Sequence, residues 1–361
     1  MFNFTNIAKE IAFSDISQVI TVTQKNNEAE ILFSININKE EIYQKKKVFF
    51  AQKKFNNIYV IYNDTNYGHL SNVINGVVIK KLEIQDFLNM DINKLSQVFE
   101  NSLIIMTNNI FAQIGIEKLG AIYEISPNSV WAIQDYDNHH WIENSIQACI
   151  FSDLYFPSHM DGELSLLSRI NPNLPTFLPC GSNQWSKEFI HARLEDLISA
   201  NRSLEPLGKY YFYEKFIHRN KVINSLNSHF KSIGIVNKDF HQLQELEKWR
   251  EWISHRLHWI IPTANDLPIR FFDALITGGI PIVPKSLIPY LNNLAIPHEY
   301  YRTYSSLDIM DPTELIRSTN NIFESGGESE ILNRHEFAMG FYHIDHVIHD
   351  VITTANRYYV A

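Results

Sequence analysis

Short, unbroken apolar runs separated by stretches of helical spacing recur along this chain, and that alternation restricts its fold more than any other feature. Residues 102–106 and 129–133 are continuous apolar runs of strand length, the pattern of a sheet covered on both faces. Residues 18–23, 30–34, 57–62 and 76–80 alternate or run apolar in strand fashion, while 86–100 and 141–151 carry helical spacing. Strands alternating with helices predict a layered α/β unit with a mostly parallel sheet. Residues 175–179 read as its last short strand and 188–200 as a helix.

The second half repeats the logic after a Pro- and Gly-containing linker at 201–208. Strands are predicted at 209–213, 232–236, 258–262 and 280–284, and helices at 219–232, 240–257, 271–277, 314–323 and 328–354. No fixed-period repeat or low-complexity tract interrupts them. The expectation is therefore two α/β domains in tandem, divided as 1–200, 201–340 and a terminal helix at 341–361.

Composition narrows the partners. The chain has 361 residues and a net charge of -9, which disfavours nucleic acid while allowing a local basic pocket. Two cysteines, Cys149 and Cys180, make no disulfide framework. The N-terminal residues lack a basic stretch followed by an apolar core, and no apolar run approaches the ~20 residues of a membrane span. A cytoplasmic protein, at most peripheral to a membrane, is expected. Neither GxGxxG after a first strand nor GxxxxGK[ST] occurs, which disfavours dinucleotide and P-loop chemistry.

The most informative stretch runs from Trp259 to Pro284 in the order strand, polar loop, helix, Gly, strand. Ligands of open parallel sheets sit beyond the carboxyl ends of the strands, where the loop 263–268 falls. Asn265 or Asp266 can cap the helix there, and Pro268 suits its first turn. Free N–H groups at a helix start suit a phosphate, and Arg270 adds a full charge in the first turn. Asp273, one turn on, can accept hydrogen bonds from ribose hydroxyls. Each also has an ordinary reading: Asp266 as a cap, Arg270 paired at the surface, Asp273 solvated.

The segment Arg270-Phe-Phe-Asp-Ala-Leu-Ile-Thr-Gly-Gly-Ile-Pro-Ile-Val283 resembles the donor-binding segment of exostosin-like and other GT-B glycosyltransferases. The resemblance covers about 25 residues clearly. It implies two Rossmann-like domains facing each other across a cleft, with a nucleotide sugar on the C-terminal one and the final helix crossing back to the first. It further implies that Asp273 binds the ribose or donor sugar and that Arg270 and the 264–268 loop face the diphosphate. Asn265 stands where the first Glu of the bacterial EX7E form belongs and Asp273 replaces the second, so a retaining mechanism is not implied. Lys215 and Arg219, following the strand 209–213, are the basic candidates where such proteins place a phosphate contact. His343, His346 and His349 on the last helix are spaced by three, but no Cys or carboxylate triad accompanies them.

A second constellation, Asp135, Asp137, His139, His140 and Trp141, follows the strand 129–133. An acceptor hydroxyl needs a general base, and each of these acids and imidazoles can serve. Trp141 can stack on a sugar, and His159 can join the same cleft. Asp137-Asn138 is equally good turn material. Asp135 and Asp137 also form a DxD pattern, which in GT-A transferases binds a divalent ion. The expectation is a metal-independent transferase, with no cofactor beyond its nucleotide-sugar substrate and a glycan or glycolipid acceptor, in bacterial surface polysaccharide assembly. The alternatives are a metal-dependent GT-A-type enzyme, a sugar-nucleotide epimerase and a non-catalytic sugar-binding protein.

Overall fold

The computed structural model describes residues 19–138, 141–159, 177–236, 243–264 and 266–360. It opens on two helices, α1 (Val19–Ile37) and α2 (Lys39–Phe50). The strands expected at 18–23 and 30–34 are thus corrected to helix. A run of three apolar residues, Ile31 to Phe33, fits one helical turn as well as a strand. Tertiary contact decides: Leu32 and Ile35, three apart, are buried, whereas Phe33 is 65% exposed. Gly120 permits this approach, since a Cβ there would lie 2.7 Å from the Ile31 side chain. A buried ion pair anchors α2, with Lys46 Nζ 2.7 Å from an Asp153 oxygen. Lys39 donates to the carbonyls of Ile150, Phe151 and Ser152, and burial lowers its pKa to about 8.

The first sheet follows, with strands β1 (Asn57–Tyr62), β2 (Val73–Ile74), β3 (Val77–Val78), β4 (Lys80–Glu83), and helices α3 (Ile84–Asn89) and α4 (Ile92–Phe99). Then come β5 (Ser102–Thr107), α5 (Asn108–Ile114), α6 (Ile116–Ile125), β6 (Val130–Asp135), α7 (Ile142–Phe151) and β7 (Leu154–Pro157). The helix expected over 86–100 is broken because the Asp91 carboxylate caps a new start, accepting from Asn93 and Lys94 N–H. β2 and β3 form a hairpin; the other five strands lie in the order β4-β1-β5-β6-β7, every pair parallel. β5 and β6 are buried throughout. Successive residues serve opposite faces: Ile104 and Met106 join the core under α3 to α7, and Leu103 and Ile105 join the other face.

The chain continues through α8 (Lys187–His191), α9 (Leu194–Ser199), β8 (Gly208–Tyr210), α10 (Ile217–Asn227), β9 (Ile233–Ile235), α11 (Glu245–Ile253) and β10 (Leu257–Trp259). Residues 177–180 form no strand, so the strand expected at 175–179 is absent from its described part. Next are α12 (Ile269–Ile276), β11 (Ile280–Pro284), α13 (Ile288–Asn293), β12 (Arg302–Tyr304), α14 (Ser306–Met310), α15 (Thr313–Phe341, kinked at Gly327) and α16 (Ile344–Tyr359). β8 pairs with β9, and β10 with β11 and β12, all parallel. A bridge at Leu207 and His258 joins the two sets, Leu207 N–H donating to Leu257 O at 2.8 Å. The second sheet is therefore ordered β9-β8-β10-β11-β12.

Both sheets share one plan. In each, the second strand lies outside the first and the third returns on its other side, giving the order 2-1-3-4-5. The connections diverge between the first and third strands, the place where parallel sheets open a crevice. The protein is thus mixed α/β, with parallel sheets and covering helices. The chain passes between the two cores twice. Cys180 belongs to the first core and Trp185 to the second; Tyr342 belongs to the second and Ile344 to the first. The crossings pair with each other: Ser182 N–H donates to Tyr342 O at 2.7 Å, and Ile344 N–H to Ser182 O at 2.9 Å. α16 then lays Val347, Ile348, Val351 and Ile352 on the open face of the first sheet.

Candidate functional site

The carboxyl edges of the two sheets meet. Tyr290 of α13, which follows β11, donates its hydroxyl to Ser158 O beyond β7. Asn183 donates to Thr65 O at 3.3 Å, and His69 Nδ1 lies 3.4 Å from Glu245 at the start of α11. Ile269, the first residue of α12, packs against the core of the first sheet. Cys180 sits between the edges; burial foremost pushes its thiol upward, and the charges of Asp137, Asp266 and Asp135 add to that. Asp137 of the first half and the 263–268 loop of the second thus lie on either side of Cys180.

On the first edge the side chains are mostly amides. Asn63 Oδ1 accepts from Thr65 and Asn66 N–H, and Thr107 Oγ1 donates to Asn66 Oδ1 at 3.1 Å. Asn108 and Asn109 donate to one oxygen of Asp137 at 3.1 and 3.0 Å. Two amides hold this carboxylate at the sheet edge, half-buried and aimed by neutral donors. Trp141, at the cap position before α7, has 41% of its surface exposed, its N–H donating to Asp137 O.

Asp135 differs from the role expected of it. It is fully buried, accepts from Tyr155 Oη at 2.5 Å and from Asp137 N–H at 2.9 Å. Burial raises its pKa to about 6 against the pull of those donors. Asp135 is the last residue of β6 and turns its side chain to the helix-covered face, toward Tyr155 and Ser145, so Asp135 and Asp137 do not present a joint DxD face to a cation. His159 is also buried, and its Nε2 donates to Tyr136 O at 2.8 Å. His139 and His140 lie outside the described residues.

On the second edge two cations share one aromatic ring. The guanidinium carbons of Arg219 and Arg270 lie 4.8 and 4.9 Å from the Tyr210 ring centre. Tyr210 is the last residue of β8, and its hydroxyl bonds Trp259 O and Ile261 N–H of the neighbouring β10 segment. This is the divergence point of the second sheet. Arg219 donates to Tyr211 O at 2.9 Å. Burial foremost lowers its pKa; Arg270's charge lowers it further, while Asp266 opposes. Two like charges against one ring make a locally positive site that suits an anion.

Asp266 is corrected from helix cap to loop clasp: its Oδ1 accepts from Thr263 N–H at 2.7 Å and Ala264 N–H at 3.0 Å. The cap position of α12 is Pro268 and no side chain caps the helix; within its first turn Phe271 N–H donates to Pro268 O at 2.9 Å. Asn265 lies outside the described residues. Lys215 is exposed beside Phe212 and Tyr213, 60% and 46% exposed. Asp273, expected to meet the donor, is fully buried, and its Oδ1 accepts from Ser182 Oγ of the first crossing at 2.6 Å.

His343 is also not a ligand on a continuous helix. It caps α16, accepting from Asp345 N–H, and is buried against Trp185 O. Among the described residues no cluster of three metal-ligating side chains occurs, and no helix is long and apolar enough to cross a membrane. Sequence reasoning missed Asn108, Asn109 and Tyr210 as site residues. The available signal was position: all three stand at the carboxyl end of a strand beside a divergence point.

No protein-family model and no curated protein matches the chain. Seven chains of solved structures match it. Among them is sucrose-phosphate synthase from Thermosynechococcus elongatus, with a TM-score of 0.46 and 11% identity over 87% of this chain and 91% of that one. A likeness this distant says nothing about activity. The exostosin-like resemblance rests on the residues of α12 and β11 alone.

Proposed function

We propose that this protein is a GT-B glycosyltransferase that moves a sugar from a nucleotide-sugar donor to a glycan or glycolipid acceptor. The observation that carries the reading is the pair Arg219 and Arg270 on Tyr210, beside the uncapped start of α12. Such a site suits a diphosphate leaving group, whose charge grows as the glycosidic bond breaks. Asp137, held by Asn108 and Asn109 on the opposing edge, is placed to orient or deprotonate an acceptor hydroxyl. The exposed Trp141 offers a face to the acceptor ring. Closing the crevice excludes water and aligns the two substrates. Surface polysaccharide assembly at the inner face of a bacterial membrane is the setting in which these substrates occur together.

Thermal unfolding against a panel of nucleotides and nucleotide sugars tests the donor, since a ligand of the native state raises the midpoint. Mass spectrometry of the best donor with candidate acceptors tests transfer. Stabilisation by one nucleotide class with a product heavier by one sugar is the expected outcome. Epimerised donor without acceptor, or sugar binding without turnover, overturns it. Activity abolished by EDTA and restored by manganese overturns its metal independence.

A further inference from the structure

The two crossings between the cores are not simple tethers. Ser182 and His343 pair as a parallel bridge, and Gly181, at φ 69°, brings the first crossing so close that a Cβ would meet Tyr342 O at 2.8 Å. One hydroxyl leaves this junction: Ser182 Oγ donates to Asp273 Oδ1 at 2.6 Å. Asp273 lies three residues beyond Arg270 on α12, on the next turn of the same helix. Its second oxygen, Oδ2, is buried and has no hydrogen-bond partner among the described residues. A carboxylate with one donor and one bare oxygen in a dry site is costly when charged.

We infer that Asp273 is a positioning residue, whose burial against Ser182 with one bare oxygen fastens the Arg270-bearing helix to the paired crossings in a lock that is tightest when its carboxyl is protonated. The part concerning Arg270 rests on the donor site proposed above. The surroundings of Asp273 fit such a lock. Ser182 faces it from the crossing, Arg270 from its own helix and Lys248 from α11. α15, packed on α12, presents Arg334 and His335, but these are bonded to Gly278 O and Ile276 O. His343 is turned to Trp185 O. Burial therefore outweighs the Ser182 bond and the two cations, raising the Asp273 pKa from 3.8 to about 7.

A raised carboxyl pKa fixes the sign. The locked state binds more protons than an opened one between about pH 4 and pH 7, so locking weakens as pH rises through that range. Above pH 7 the ionised carboxylate favours opening of the junction toward water.

Hydrogen exchange of the full-length protein reads this directly, at the Ser182 and Ile344 amides that close the junction. After correction for intrinsic exchange, wild-type protection should fall about tenfold from pH 6 to pH 8, and less than about twofold in Asp273→Asn. Equal pH dependence in the two proteins overturns the lock. Ser182→Ala removes the donor without touching the carboxyl; it should steepen the loss, and a profile superimposing on wild type likewise overturns the lock. Inorganic pyrophosphate should slow exchange at both amides in wild type and not in Arg270→Glu. A lock that titrates but ignores pyrophosphate overturns the coupling to Arg270 and the donor reading, leaving the junction itself intact.

Discussion

The two sheets share a strand order but not a chemistry. At the edge of the first, the divergence point is lined by Asn63, Asn66, Thr107 and Asn108, with Asp137 as the half-buried acid. At the edge of the second, the same topological position holds Tyr210 with Arg219 and Arg270 against it. One plan thus gives one edge suited to hydroxyl groups, through amides and a carboxylate, and another suited to anions. On the proposed reading, the acceptor's hydroxyls lie at the first edge and the donor's diphosphate at the second.

The division is open to test by substitution. The largest effect is expected from Asp137→Asn, which keeps the Asn108 and Asn109 geometry but removes the base: turnover should fall by about 10²–10⁴ while nucleotide affinity is retained. A loss of nucleotide affinity instead would place the acid on the donor side. Arg270→Ala comes next. Loss of one charge-assisted contact to a diphosphate costs about 1.5–3 kcal/mol, so donor affinity by titration calorimetry should drop roughly 10- to 150-fold. Unaltered affinity would remove the asymmetry between the edges.

Asp135→Asn should act on stability and its pH dependence. The raised pKa means that Asp135 loses its contribution as pH rises from about 4 through about 6. The variant's melting profile over that range should be flatter than wild type, with donor affinity unmoved. The smallest effect belongs to Lys215→Ala. The side chain is exposed and an exposed charge contributes at most about 1 kcal/mol, so donor affinity should change less than about fivefold. A larger loss would show that Lys215 closes onto the donor.

Much of this arrangement was legible in the chain. The unbroken apolar runs of β5 and β6 marked buried parallel strands, and Gly278, at φ 68°, marked the turn from α12 into β11. The local sequence could not separate helix from strand at residues 30–34, where burial of Leu32 and Ile35 against α6 and α7 settles the matter. Nor could it show that Asp273 faces inward. Spacing places Arg270 and Asp273 on adjacent turns, but only the return of the chain at Ser182 and Tyr342 decides that the acid is covered. The sharing of the Tyr210 ring by two arginines is invisible in the chain because Arg219 and Arg270 are brought there by different helices.

The central claim is that the second edge holds the diphosphate of an activated sugar. A crystal structure of the protein with a nucleoside diphosphate tests it most directly. Phosphate oxygens within hydrogen-bond reach of Arg270 and the first-turn amides of α12 are the predicted result. A diphosphate seated on the first edge, or away from the crevice altogether, would contradict it.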